Sequence, residues 1–380
     1  MDAFGLRLLR WYKRHGRRHL PWQQPRSAYR VWVSEVMLQQ TQVQTVVPYF
    51  QRFMTRFPDP AALAAAELDA VLNLWSGLGY YARARHLHAA ARRICEAHGG
   101  VLPRTADALM ALPGIGRSTA AAILALTEGR REAILDGNVK RVLARYHAIP
   151  GWPGHAAVAD ELWRLAERHT PARRVADYTQ AIMDLGATLC TRRAPGCGRC
   201  PVRADCTAYR GGCVEAYPAP RPARTLPERE TQVLMACNAA GEVLLERRAP
   251  AGIWGGLWSF PECEPGAAPE RHALDALDCQ TIAMERWPRL RHSFTHYTLV
   301  IAPVLLRVAE AGSRVMEHKD RLWYKGPDGG AALGMPAPVL KLLQRLSNRI
   351  EELNHSHDTP RPMRQARQRG RGPRRPTLPR

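Results

Sequence analysis

Apolar residues return every three or four positions through most of the first 210 residues. Between Ser27 and Phe57, Trp32, Val36, Val43, Val47 and Phe50 keep that spacing, the signature of an amphipathic helix, and Pro48 predicts a kink or division within it. The same period continues through ALAAAELDAVLNLW, ARARHLHAAARRICEAHG, TADALMAL and STAAAILALT, with Gly and Pro punctuating the segments. The pattern changes after Cys213. Pro218, Pro220, Pro222 and Pro227 predict a stiff, extended linker over residues 214–228. Beyond it, TQVLMACNAAGEVLLERR predicts two strands around a turn. HSFTHYTLVIAPVLLRV predicts a second pair, with helices near residues 270 and 340. The expected fold is mainly α over residues 1–213, followed by an α+β domain over 229–348. No internal repeat stands out at a fixed period.

Composition fits this division. With 380 residues, 46% of them hydrophobic, the chain is long enough for two or three domains with ordinary cores. A formal charge of +21 makes a polyanion the expected partner, because clustered Lys and Arg release counterions from nucleic-acid phosphates; a membrane surface is the rival reading. Residues 361–380 contain eight Arg and no acidic residue, so 355–380 reads as a disordered Arg/Pro-rich tail. Most of the charge remains on the rest of the chain. No apolar run approaches the roughly 18 residues of a membrane span, and the N-terminus lacks the features of a secretion signal. The expectation is a soluble intracellular monomer, cytoplasmic or nucleoid-associated and without membrane contact. Nine cysteines, an odd number without an export signal, argue for thiols rather than a disulfide framework.

Four of those thiols stand together. Cys190, Cys197, Cys200 and Cys206 are separated by six, two and five residues, a set that suits a four-iron, four-sulfur (4Fe-4S) cluster or a four-thiolate zinc site. Only one C-x-x-C pair occurs, whereas zinc sites more often use two. Cys95, Cys213, Cys237, Cys263 and Cys279 have no such spacing. Around residues 105–127, TADALMALPGIGRSTAAAILALT predicts a helix, a tight turn and a second helix. Gly114 and Gly116 would let backbone amides and the second helix's N-terminus meet a DNA phosphate without base preference. Twenty residues past Gly116, Asp136 opens a Gly-Asn pair and a basic helix, as a helix cap or as something more.

The turn, Asp136 and the cysteine loop over 190–206, in that order, resemble the helix-hairpin-helix, Gly/Pro-Asp superfamily of DNA glycosylases. That resemblance implies a two-lobed helical domain with DNA across its cleft, a base flipped out of the duplex, and an aspartate, here Asp136, facing the sugar. Endonuclease III-like members carry a lysine after the turn to form a Schiff base. This chain has Ser118 there, and a hydroxyl cannot form that imine. VWVSEVMLQQTQV resembles the MutY family of adenine DNA glycosylases, with Glu35 at its catalytic acid. The implied chemistry has Glu35 protonating adenine while ionised Asp136 opposes positive charge on the sugar. Asn138 resembles a supporting amide beside that carboxylate. Arg18, Leu20 and Trp22 match positions lining the adenine pocket, Tyr80 a wedge beside the oxidised guanine, and Gln39 a residue intruding near it.

The second domain resembles a Nudix hydrolase adapted to read 8-oxoguanine. The carboxylate run that holds magnesium in Nudix enzymes is missing after GIWGGLWSFPE, so recognition is expected rather than hydrolysis. Thr295 and His296 stand where the family usually has Phe-Ser-His. The implied partner is double-stranded DNA holding an A:8-oxoguanine or A:G mispair. Two alternatives remain at this point: an endonuclease III-like pyrimidine glycosylase with lyase activity, and a non-catalytic iron–sulfur DNA-binding module.

Overall fold

Asp2 starts the first helix: its carboxylate accepts the Gly5 N–H at 2.8 Å and caps α1 (Ala3–His15). Ser27 caps α2 (Ala28–Leu38) in the same way. The computed structural model describes residues 1–223, 225–309, 319–326 and 333–357. After α2 the chain breaks at Gln39–Gln42, where Gln40 takes a left-handed φ of 58°, and resumes as α3 (Val43–Arg56). Of the kink or division expected at Pro48, the division does not occur: the residue lies inside α3. It is exposed near the helix start, so water can serve the single carbonyl left without an N–H partner.

Short helices α4 (Pro60–Ala64) and α5 (Leu68–Trp75) lead to the long α6 (Ala82–His98). The expected hairpin is α7 (Ala106–Met110) followed by α8 (Arg117–Glu128). Next come α9 (Gly137–Tyr146), α10 (Ala156–His169), α11 (Val175–Thr188) and the short α12 (Thr207–Arg210). These helices build two cores. One gathers Trp32, Val36, Phe50, Phe53, Trp75 and Leu87; the other gathers Leu8, Leu143, Leu162, Tyr178 and Leu185. Helix α8 divides its faces between them, Ala120, Ile123 and Leu124 to the first and Ala121 and Ala122 to the second. The two lobes expected for the helical part are therefore present, with α8 as the shared wall.

A mixed sheet follows, made of β1 (Glu228–Cys237), β2 (Val243–Arg247), β3 (Trp258–Ser259), β4 (Glu262–Cys263), β5 (Thr281–Arg286), β6 (Leu290–Ser293), β7 (Thr298–Val308) and β8 (Arg321–Tyr324), with α13 (Pro269–Leu277) between β4 and β5. Its central pair, β1 and β7, is parallel from Glu228 opposite Thr298 to Cys237 opposite Arg307; the remaining pairs are antiparallel. Buried Leu234, Leu244, Val304 and Leu306 pack with Ala273 and Leu277 of α13.

Helical and sheet parts are tied by named contacts. Trp258 Nε1 donates to Asp69 at 3.4 Å, Arg247 pairs with the same carboxylate at 3.3 Å, and Tyr81 Oη donates to the Met335 carbonyl at 2.9 Å. Residues Met1–Pro338 form one compact unit. The last helix, α14 (Ala337–His357), runs three residues into the stretch expected to be disordered; the Arg-rich segment from 358 onward lies outside the described residues. Among the described residues, no helix is long and apolar enough to cross a membrane.

Candidate active site

Asp136 is the N-cap of α9. Its Oδ1 accepts the Val139 N–H at 2.8 Å and its Oδ2 accepts the Asn138 side-chain amide at 3.2 Å. Two neighbours hold this turn in place. The Ser118 hydroxyl, in the first turn of α8, accepts the Leu135 N–H at 3.0 Å, so the hairpin grips the residue just before Asp136. From the other side Gly186 of α11 comes so close that an added Cβ would lie 2.6 Å from the Asn138 Cβ. A glycine inside a helix costs about 1 kcal/mol against alanine, and here close approach to the turn explains it.

Glu35 projects from the middle of α2, where Trp32, Val33, Val36 and Met37 are all buried. Among the described residues its carboxyl has no hydrogen-bond partner. Burial, reinforced by the nearby Asp136 charge, pushes it up to about 8. Asp136 is also raised by burial, but the Val139 N–H, the Asn138 amide and Arg141 all oppose that rise. The two carboxyls therefore differ in their surroundings. Asp136 is the one supplied with donors, and Glu35 is the one left to keep its proton.

Within the chain the two hairpin-turn glycines differ. Gly114 has φ +76° and an added Cβ would meet His86 at 2.7 Å, so glycine is required there. Gly116 faces open space with an ordinary backbone as the cap of α8, and nothing within the chain demands it. Leu20 and Trp22 are each 5% exposed and belong to the same core as Trp32 and Val36; Trp22 meets Phe50 edge-on at 5.4 Å. Arg18 is exposed, with its guanidinium 5.2 Å over the Tyr12 ring. Its neighbour Arg17 is clamped to fully buried Asp184 of α11.

Gln39 and Tyr80 come together through Arg83. This buried guanidinium donates to the carbonyls of Val36, Met37 and Gln39 at the end of α2, and to those of Leu78 and Gly79. Tyr80 is held exposed, at 48%, with φ +49°. Replacing Arg83 with Ala orphans five carbonyls; a loss of about 2–4 kcal/mol in folding free energy is expected from denaturant titration. An unchanged midpoint would show that these bonds are made equally well by water.

Cys190, Cys197, Cys200 and Cys206 line one cavity, walled otherwise by side chains such as Val142, Tyr146, Leu185, Leu189 and Val202. All nine cysteines are free thiols, and Cys237, Cys263 and Cys279 are buried. Arg145 knits the cysteine loop: it donates to Cys190 Sγ at 3.4 Å, to the Thr191 carbonyl at 2.6 Å and to the Tyr217 carbonyl at 2.9 Å. Burial pushes the Cys200 thiol up to about 11, so a thiolate there needs a positive centre beside it. Thr295 and His296 occupy the exposed turn between β6 and β7, which closes with Phe294 N–H donating to the Tyr297 carbonyl at 2.8 Å.

Comparison with known proteins follows the same division. Residues 33–168 match the HhH-GPD superfamily base excision DNA repair protein family, and residues 232–345 match the NUDIX domain family. An adenine DNA glycosylase of Buchnera aphidicola subsp. Acyrthosiphon pisum is 36% identical over 352 residues, covering 91% of this chain and 98% of the relative. Proteins of the same name from Mus musculus and Homo sapiens are 38% and 39% identical, covering 82% and 72% of this chain and 72% and 60% of theirs. The chain belongs to the adenine DNA glycosylase family. Its enzyme class is that of a DNA N-glycosylase.

Within this glycosylase, several residues that the sequence does not single out carry the geometry. Arg141 of α9 donates to Asn138 Oδ1 at 2.8 Å, to the Gly186 carbonyl at 2.7 Å and to the Cys190 carbonyl at 2.6 Å, joining the Asp136 turn to the cysteine loop. Gln23, next to Trp22, is 7% exposed, and both its amide atoms are without a partner among the described residues. A mid-helix Gly in DLGA is the one signal that points to Gly186. Nothing local distinguishes Arg83, Arg141 or Arg145 from surface arginines.

Proposed function

We propose that the chain hydrolyses the N-glycosidic bond of adenine paired with 8-oxoguanine or guanine in double-stranded DNA and leaves an abasic site. The observation that carries this reading is the contrast between two carboxyls: Glu35, without a hydrogen-bond partner and raised to about 8, and Asp136, with two side-chain oxygens each accepting a donor. Adenine is a poor leaving group, and a proton from Glu35 to its five-membered-ring nitrogen lets it depart. As the bond breaks, positive charge grows on the sugar, and ionised Asp136 opposes it until water attacks. Gln23 supports a purine pocket beside Trp22, since an unpaired buried amide offers the donor and acceptor that match adenine's edge. Ser118 holds Leu135 and has no amine, which favours hydrolysis over Schiff-base lysis.

The remaining parts take supporting roles. The Gly114 turn, Gly116 and the N-terminus of α8 meet a phosphate, while Tyr80 and Gln39 approach the base opposite adenine. Cys190, Cys197, Cys200 and Cys206 hold one 4Fe-4S cluster; four thiols ringing a cavity, with Arg145 alongside, suit a multi-atom group better than one ion. When bound, the cluster would cross-link the loop, its iron core stabilising the four thiolates, and would supply no step of the reaction. The domains divide as 1–213 and 229–348 about the Pro-rich linker, and Thr295 and His296 touch the oxidised base.

A duplex with one A:8-oxoguanine pair tests the reading, analysed on denaturing gels with and without hot alkali. Cleavage of the adenine strand only after alkali is expected. Cleavage without alkali, in the absence of contaminating nuclease, would replace it with the lyase alternative. No cleavage by DNA-binding protein would replace it with the binding module.

A further inference from the structure

The Phe294–Tyr297 turn rests on a stack of rings. Trp254 lies 5.5 Å from both His292 and Phe294, His292 lies 4.7 Å from Phe294, and Phe294 lies 4.9 Å from Tyr297. Trp254 is in the turn between β2 and β3, where its φ is +54°. A bulky residue enters that left-handed region only against steric strain. Gly252, Gly255 and Gly256 stand close by in the same turn, yet the indole occupies a position where glycine would be unstrained. The surrounding structure must hold it there.

The holding comes from the helical part. Arg85 of α6 donates to the Gly255 carbonyl at 2.8 Å, next to Trp254 in the chain. The Trp254 side chain packs against the first lobe's core. Helix α6 begins at Ala82, immediately after exposed Tyr80 and buried Tyr81. A continuous path therefore runs from Tyr80 along the first turn of α6, through Arg85 to the β2–β3 turn, and through Trp254 to the Phe294 loop. Tyr80 and Trp254, one at each end, are both aromatic residues fixed at positive φ.

We propose that Trp254 is a specificity-determining positioning residue, which fixes the Phe294–His296 loop relative to Tyr80 so that both converge on the base opposite adenine. Discrimination between 8-oxoguanine and guanine then depends on a residue that touches neither. The inference rests on the reading of the sheet part as the lesion reader. It adds that the reader works only when braced against the helical part.

The test compares full-length wild type with Trp254→Ala, Trp254→Phe, Arg85→Met and the double variant Thr295→Ala/His296→Ala. Single-turnover excision rates are measured on A:8-oxoguanine and A:G duplexes, with thermal melting alongside. Trp254→Ala is expected to lower the ratio of the two rates by about tenfold or more, while the A:G rate stays within about twofold. Trp254→Phe should keep most of the ratio, because a ring still fills the stack. Arg85→Met should lower it in the same direction without touching the stack itself. A ratio unchanged in Trp254→Ala but lowered in the Thr295/His296 variant overturns the bracing role and leaves the reader intact. A ratio unchanged in both overturns the reader and this inference together. Equal losses on both duplexes mean a merely structural Trp254. Should Trp254→Ala fail to fold, an unchanged ratio in Arg85→Met overturns the proposal by itself.

Discussion

Replacing Asp136 with Asn is expected to slow excision of adenine by roughly 10³-fold or more in single turnover, while affinity for a mispaired duplex changes little. The substitution is chosen because it separates charge from structure. Asn caps helices about as well as Asp, so the bond from the Val139 N–H to Oδ1 survives at position 136. The bond at Oδ2 does not survive unchanged: the Asn138 amide that donates to it is itself fixed, its Oδ1 held by Arg141 at 2.8 Å. Two amide donors would then face one another, at a cost of about 1 kcal/mol, which is small beside the loss of the carboxylate. Affinity for DNA is generally dominated by phosphate contacts, so it is not expected to need the Asp136 charge. Rapid-quench rates and electrophoretic mobility shifts on the same protein preparation decide the matter. A variant that excises at the wild-type rate would remove Asp136 from the chemistry and leave it a helix cap.

That a residue can be both explains how far the site is legible before any coordinates. Asp136 followed by Gly-Asn and a basic helix is a cap signal, and the structure has the cap; the second role proposed for it rests on company, the hairpin turn before it and the cysteines after it. Helices α2, α6 and α8 are plain from period and punctuation, although only α6 buries a single face while α2 and α8 are buried on several sides. Pro48 misleads because its cost depends on exposure, which the residue type does not reveal. HSFTHYTLVIAPVLLRV, read as a strand pair, holds β7 and only the end of β6, and Thr295 and His296 are singled out by resemblance alone. β3 and β4, two residues each, are too short to show any period, and β5 is mostly exposed. What stays hidden is the set of arginines that bind carbonyls. In a chain with 55 Lys and Arg, neither spacing nor neighbours mark buried Arg83 and Arg145 or half-buried Arg141, because most of their partners are carbonyls brought from distant segments. Ser118 is read in the sequence by the lysine it replaces, whereas its hydroxyl has work of its own on Leu135.

Replacing Glu35 with Gln is expected to slow excision by roughly 10²–10⁴-fold and, in the same protein, to raise stability at alkaline pH. The first effect follows from the missing proton: the amide keeps the shape of the side chain but has no acid to give to the leaving base. The second follows from linkage. Glu35 is raised from its ordinary 4.5 to about 8 by burial and by the Asp136 charge, so between those values the folded chain holds a proton that the unfolded chain has released. Stability contributed by this group is therefore fully present below about 4.5 and declines as pH rises to about 8, where ionised Glu35 sits without a partner. Gln is neutral throughout and escapes that decline. The wild-type rate should be level on the acid side of about 8 for this group and fall about tenfold per pH unit above it. In the Glu35→Gln variant the residual rate should lack that limb. Denaturant midpoints taken from below about 4.5 to above about 8 should converge between the two proteins at low pH and separate in favour of the variant as pH rises. A wild-type rate that keeps its plateau well above about 8 would show that excision is not limited by a proton lost there, and midpoints that separate in the opposite sense would mean that Glu35 is ionised in the free enzyme. The proton for adenine would then have to come from elsewhere.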